Sequence, residues 1–228
     1  MCRVCAIIKE MKGVYCLKKR FAAAFLTVEA TLYICILTCG GDLLVASSYA
    51  SIVLCGLFAL VLGQKSTLFL RLGLLCTLGA DFCLVVCDPI QRLWGMVFFL
   101  AAQSMYALYL GGRPWRWIVR AAVSLCALAV TVLVLGENTD ALALVSVCYY
   151  GNLILNLLFA FLNKDRMLGL AFVLFLLCDT VIGLQVAAGG YLPIAEGSAL
   201  YSLLFSGFNL AWFFYLPSQV LLALRTTK

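Results

Sequence analysis

Histidine is absent from all 228 residues. That removes imidazole acid–base catalysis, histidine-containing nucleophile triads and the commonest zinc sites together. Charge is scarce too: Asp, Glu, Lys and Arg make up 11% of the chain, against about 25% in a soluble domain. With 65% of its residues apolar, the chain cannot cover a water-exposed surface, and a soluble enzyme, a disordered chain and a disulfide-stapled secreted domain are all excluded. Proline is limited to four residues, of which Pro217 stands inside an apolar run. What remains is the composition of a polytopic membrane protein.

Cysteine is plentiful, with twelve residues, but its placement argues against a framework. Cys35, Cys55, Cys76, Cys83, Cys126, Cys148 and Cys178 lie in apolar runs, where a thiol behaves as a small hydrophobe. Cys2-x-x-Cys5 lacks the second pair that a zinc site needs. Cys83 and Cys87 stand at i,i+4, the spacing most open to a disulfide or weak metal site. No metal and no cofactor is expected.

A helix crosses about 30 Å of hydrocarbon with roughly 20 apolar residues. Eight segments meet that length, at about 21–38, 44–63, 68–87, 94–110, 116–135, 141–162, 166–187 and 201–224. The expected architecture is therefore all-α: a basic amino-terminal segment, 1–20, and one eight-span membrane domain, 21–228. An even number of spans puts both termini on one side. If that side is cytoplasmic, fifteen of the sixteen Lys and Arg fall there; Arg92 is the exception, and Asp42, Asp88, Glu137, Asp140 and Glu196 face outward. Every loop obeys the positive-inside rule separately. In a bacterium the membrane would be the plasma membrane. The first apolar run, about 18 residues, exceeds the usual 7–15 of a cleaved signal peptide and is expected to stay. The basic amino terminus fixes topology and can also meet anionic lipid headgroups; no folded basic surface supports nucleic-acid binding.

An ionisable residue inside a span costs roughly 2.5–3.5 kcal/mol on insertion scales and is a functional candidate by default. Glu29, Asp81 and Asp179 qualify, and counting along spans one, three and seven puts them at a common depth between the midplane and the outer leaflet. Gln103 and Tyr106 on span four, Tyr149 and Asn152 on span six, and Asn209 on span eight fall near the same level. Asn156 and Gln219 lie deeper. Such a ring of polar groups reads as the lining of one cavity. The bland alternative is bridging between helices, at about 0.6 kcal/mol for each polar side chain.

At these positions the chain resembles the YhhN family of transmembrane lysoplasmalogenases. Leu78-Gly79-Ala80-Asp81 is similar to the family's Gly-Asp at the end of an apolar helix. Gly95-x3-Phe99-x3-Gln103-x2-Tyr106 is similar to its Gly/Phe/His/Tyr pattern at the same spacing, with glutamine in place of histidine. Leu168-Gly169-x2-Phe172 through Cys178-Asp179, and Tyr215 to Gln219-Val220-Leu221-Leu222, resemble its seventh and last spans. The resemblance implies hydrolysis of the vinyl ether of a lysoplasmalogen, a lysophospholipid held in the membrane, to a fatty aldehyde and a glycerophospho-headgroup. Asp81 and Asp179 would be the acid/base pair, with Gln103, Tyr106, Tyr149, Asn152, Asn209 and Glu29 about the substrate. Protonation of the vinyl ether's β-carbon leaves an oxocarbenium ion, to which water adds before the hemiacetal collapses. Two carboxyls divide that work as they do on glycosidic oxocarbenium ions. The alternative is a non-catalytic or transporter-like protein that binds a lipid, proton or cation through the paired aspartates. The sequence shows neither an internal repeat nor paired helix breakers to favour transport.

Overall fold

The computed structural model describes residues 3–188, 195 and 197–228, with side chains from residue 18 onward. The Cys2/Cys5 pair and the outer-loop Glu196 lie outside the described residues and side chains. Nine α-helices and no strand occur among the described residues: α1 (Arg3–Thr38), α2 (Gly41–Leu62), α3 (Leu68–Asp81), α4 (Arg92–Leu110), α5 (Pro114–Leu135), α6 (Ala141–Leu162), α7 (Arg166–Ala188), α8 (Ala199–Leu204) and α9 (Leu210–Arg225). Seven helical segments are long and apolar enough to cross a membrane, with α9 a shorter apolar helix beside them. The protein is an all-α polytopic membrane bundle.

The partition of side chains is that of a lipid-embedded protein. Leu133, Val134 and Val61 point outward, while Glu29, Ser51, Thr77, Asp81, Gln103, Arg120, Asn156 and Gln219 are buried within. With lipid outside, the polar groups that remain must find partners between helices. The centre is formed by α3, α4, α6, α7 and α9, and α3 lies close on α4 because Gly73 makes room. A Cβ at Gly73 would come within 2.1 Å of the Tyr106 ring.

Two expected spans are interrupted. The third, 68–87, ends as an α-helix at Asp81 and continues as a π-turn, Phe82–Val86, closed by the Cys87 N–H on the Phe82 carbonyl at 3.0 Å. The eighth, 201–224, is divided into α8 and α9. The break runs through Phe205-Ser206-Gly207-Phe208, and Asn209 restarts the helix by accepting the Trp212 N–H on its side-chain oxygen at 3.3 Å. That asparagine cap outcompetes continuation of the helix through a Ser-Gly pair.

The chain still alternates end to end. The Gln64 N–H donates to the Thr226 carbonyl at 2.9 Å, and the Thr67 hydroxyl donates to the same carbonyl at 2.9 Å. Arg225 pairs with Asp165, Nε to Oδ2, at 2.7 Å. Asn163 donates to the Leu110 carbonyl at 3.1 Å. The α2–α3, α4–α5 and α6–α7 connections and the end of α9 are thus gathered at one end of the bundle.

Candidate functional site

Asp81 closes α3 and is buried. Its position is set by the change of helical pitch that begins at the next residue; π-turns of this kind recur at functional sites. The Tyr215 hydroxyl, from α9, donates to Asp81 Oδ2 at 2.6 Å. Asp179, half-buried on α7, accepts on its own Oδ2 from the Tyr149 hydroxyl of α6. Each carboxyl therefore carries a phenol on one oxygen.

Aromatic rings join the two pairs. Phe99 of α4 lies 5.5 Å from Tyr149 and 6.3 Å from Tyr215, centroid to centroid. Phe175 of α7 lies 6.4 Å from Tyr149 and 5.4 Å from Tyr215. The two phenyl rings are 5.7 Å apart. Asp81 and Asp179, separated by nearly a hundred positions in the chain, consequently flank one four-ring cluster and lie within electrostatic range of each other. Two carboxyls, each oriented by a phenol in apolar surroundings, are able to give and take protons on a bound substrate.

The remaining expected residues divide. Tyr106 is fully buried, tilted against Phe172 at 5.5 Å and within electrostatic range of Asp81. Glu29 accepts from the Ser51 hydroxyl at 2.6 Å and from the Cys55 thiol at 3.4 Å. Cys55 lies in electrostatic range of both Glu29 and Asp81. Gln103 is turned to α6: its Oε1 accepts from Asn156 Nδ2 at 2.8 Å, and its Nε2 is buried with no partner among the described residues. Asn152 bonds Arg120 at 3.2 Å. Asn209 is the cap of α9, and its described bond is to Trp212, not to either aspartate.

Two residues were missed by reasoning from the sequence. Tyr215 entered only as part of a motif, and no spacing rule predicts a bond across 134 positions. Arg120 was counted with the topogenic charges, yet it is buried against α6. The readable signal was its i,i+4 relation to Arg116, which puts the two on one face of α5 two turns into an apolar run.

Among known families, the YhhN family model matches residues 43–226. The match runs from the first turn of α2 to the end of α9, leaving Glu29 and the rest of α1 outside it. No curated protein and no solved structure was found to match the chain.

Proposed function

The chain belongs to the YhhN family, and on that premise we propose that it hydrolyses the vinyl ether of a lysoplasmalogen within the membrane. The observation that carries this reading is the symmetry of the centre: two aspartates on different helices, each bonded by a tyrosine, across one aromatic cluster. One aspartic acid protonates the β-carbon of the vinyl ether, turning the carbon–carbon double bond into a single bond and leaving positive charge on the carbon–oxygen unit. The other, ionised, stabilises that cation and accepts a proton as water adds to the carbon next to oxygen. The hemiacetal then releases a fatty aldehyde and the glycerol hydroxyl of the headgroup. The four rings exclude bulk water and leave the cation facing π-systems, which attract it.

The test is mass spectrometry of purified protein incubated with a lysoplasmalogen in D2O. The expected product is an aldehyde carrying one deuterium on the carbon beside the carbonyl, because that hydrogen comes from the acid. Asp81→Asn and Asp179→Asn should each lower the rate at least roughly 10²-fold, the low end for a lost general acid or base, with membrane insertion kept. Unchanged rates in both variants would remove the carboxyls from the mechanism.

Gln103 favours a second reading, a lipid- or cation-binding relative without turnover, because it stands where the family pattern resembled has histidine. Gln103→His retains an acceptor for Asn156 and adds a group able to shuttle protons. Under the hydrolase reading turnover rises or holds in this variant. Turnover that appears only in Gln103→His assigns the natural chain to the second reading.

A further inference from the structure

We propose that Arg120, presented by Asn152 and Asn156, binds the phosphodiester of the lysophospholipid and so sets the distance from headgroup to cleaved bond. This rests on the hydrolase reading for its substrate, but its geometry is independent of the aspartates.

Arg120 is 6% exposed and sits about 9 Å into α5 from Pro114, at 1.5 Å per residue. Its Nη1 donates to Asn152 Oδ1 at 3.2 Å and its Nη2 to Asn156 Oδ1 at 2.7 Å. Both acceptors are neutral. Among the described residues no carboxylate pairs with it, and the ion pair that is described joins Arg225 to Asp165. A guanidinium has five N–H donors and no way to lose its charge. Buried charges are expected to be paired, and this one has amides where its counter-ion should be.

The surroundings point to an anion. Both amides are held so that their oxygens face Arg120: Asn152 Nδ2 donates to the Cys148 carbonyl at 3.0 Å, and Asn156 Nδ2 donates to the Gln103 side chain at 2.8 Å. Beyond Asn156, Gln103 Nε2 is a fully buried donor without a described partner. Arg116 adds a second guanidinium, its carbon 4.9 Å from the centre of the Phe159 ring, with Arg120 at 5.0 Å from the same ring. Arg116 Nε is likewise buried and unpartnered among the described residues. Two cations drawn to one ring repel each other, and an anion between them relieves that repulsion.

The spacing fits a lysolipid. Asn152 and Asn156 stand three and seven residues beyond Tyr149 on α6, about 4.5 and 10.5 Å along the axis. In a lysoplasmalogen about five bonds, roughly 6 Å, separate phosphorus from the vinyl-ether oxygen. A phosphate held by Arg120 thus puts the ether at the level of the Tyr149–Asp179 pair, with the hydrocarbon tail carried on toward the far leaflet. Arginine suits the task because its fork matches two phosphate oxygens.

The experiment measures binding by the purified full chain, without turnover. The probes are a saturated 1-O-alkyl lysophospholipid, which cannot be cleaved, the 1-O-alkylglycerol of the same chain length, and inorganic phosphate. The natural chain should bind the phosphate-bearing lipid about tenfold or more tighter than the alkylglycerol, the lower range for charged hydrogen bonds. Arg120→Gln should bring the two affinities to within about threefold, and Arg120→Lys should fall between. Asn152→Asp is the decisive variant, because it hands Arg120 an internal counter-ion in exchange for the bond to the Cys148 carbonyl. It should hold or raise the melting temperature while abolishing the preference. A stable Asn152→Asp protein that keeps the preference, or a natural chain that shows none, overturns the proposal. Inorganic phosphate that displaces the lysolipid at micromolar concentration would overturn the headgroup as its source. The expected binding pattern without vinyl-ether cleavage would uphold the phosphate site and sink the hydrolase reading instead.

Discussion

At the scale of single residues, the site depends on phenols that hold carboxyls, and the two pairs are chemically alike. Removing either hydroxyl leaves its aspartate without the bond that fixes its direction. Hydrogen bonds to charged groups contribute about 1.5–3 kcal/mol, so Tyr149→Phe and Tyr215→Phe should each slow hydrolysis by roughly 10- to 100-fold. Because the phenyl ring remains, packing against Phe99 and Phe175 and the thermal stability in detergent should change little. Steady-state rates on a lysoplasmalogen check this. A loss confined to one tyrosine would show that only its aspartate handles a proton in the slow step. Asp81, Asp179 and Glu29 were legible in the sequence because a carboxyl in an apolar helix is expensive wherever the helix packs. Of their partners only Tyr149 was named from the sequence, since Ser51, Cys55 and Tyr215 are ordinary residues until the helices meet. Asn209 reads as a polar lining group in the sequence, and the break in the helix gives it a second task, the cap of α9.

Among the elements, α9 shows how a defect in one helix is satisfied by another. Pro217 has no N–H, so the Phe213 carbonyl four residues earlier loses its helical donor. The Tyr33 hydroxyl of α1 supplies the missing bond at 2.8 Å. Lipid offers no water to replace it. Tyr33→Phe should therefore destabilise the protein by about 1–3 kcal/mol, read as a lower melting temperature in detergent. Pro217→Ala restores an N–H at position 217 and should recover part of that loss in the Tyr33→Phe background. Additive effects of the two substitutions would mean that the Tyr33 bond does not compensate for the proline. Hydropathy located α1 to α7 because length and apolarity suffice to define a span. It ran straight through the π-turn after Asp81, which leaves the apolar composition intact, and the gap before α9, where Ser206, Gly207 and Asn209 interrupt it only briefly. Both irregularities lie beside residues of the candidate site or its caps, where local rules most often yield.

Across the whole molecule, two independent features bear on orientation. The sequence puts fifteen of sixteen basic residues in or near alternate connections. The fold brings those connections together, with Thr226 bonded to Gln64 and Thr67 and Arg225 to Asp165. α9 therefore ends at the same end as the α2–α3 and α6–α7 loops, although its 16 residues span only about 24 Å. The rest of the crossing falls to α8 and the turn before Asn209, most of whose residues are exposed while Leu204 is buried. Alternation from that end returns the start of α1 to it as well. On the positive-inside rule we propose that this end faces the cytoplasm. Reporter domains fused at the amino terminus and after Lys228 should both be protected from protease added to sealed, right-side-out cells, whereas a tag inserted at Gly136 should be cut. Substituting Arg113, Arg116 and Lys164 with Gln should weaken that preference without abolishing it, since the remaining basic loops act in the same direction. Termini on opposite faces would overturn this topology, because the Thr226 bonds to Gln64 and Thr67 require the chain to cross between α7 and the end of α9.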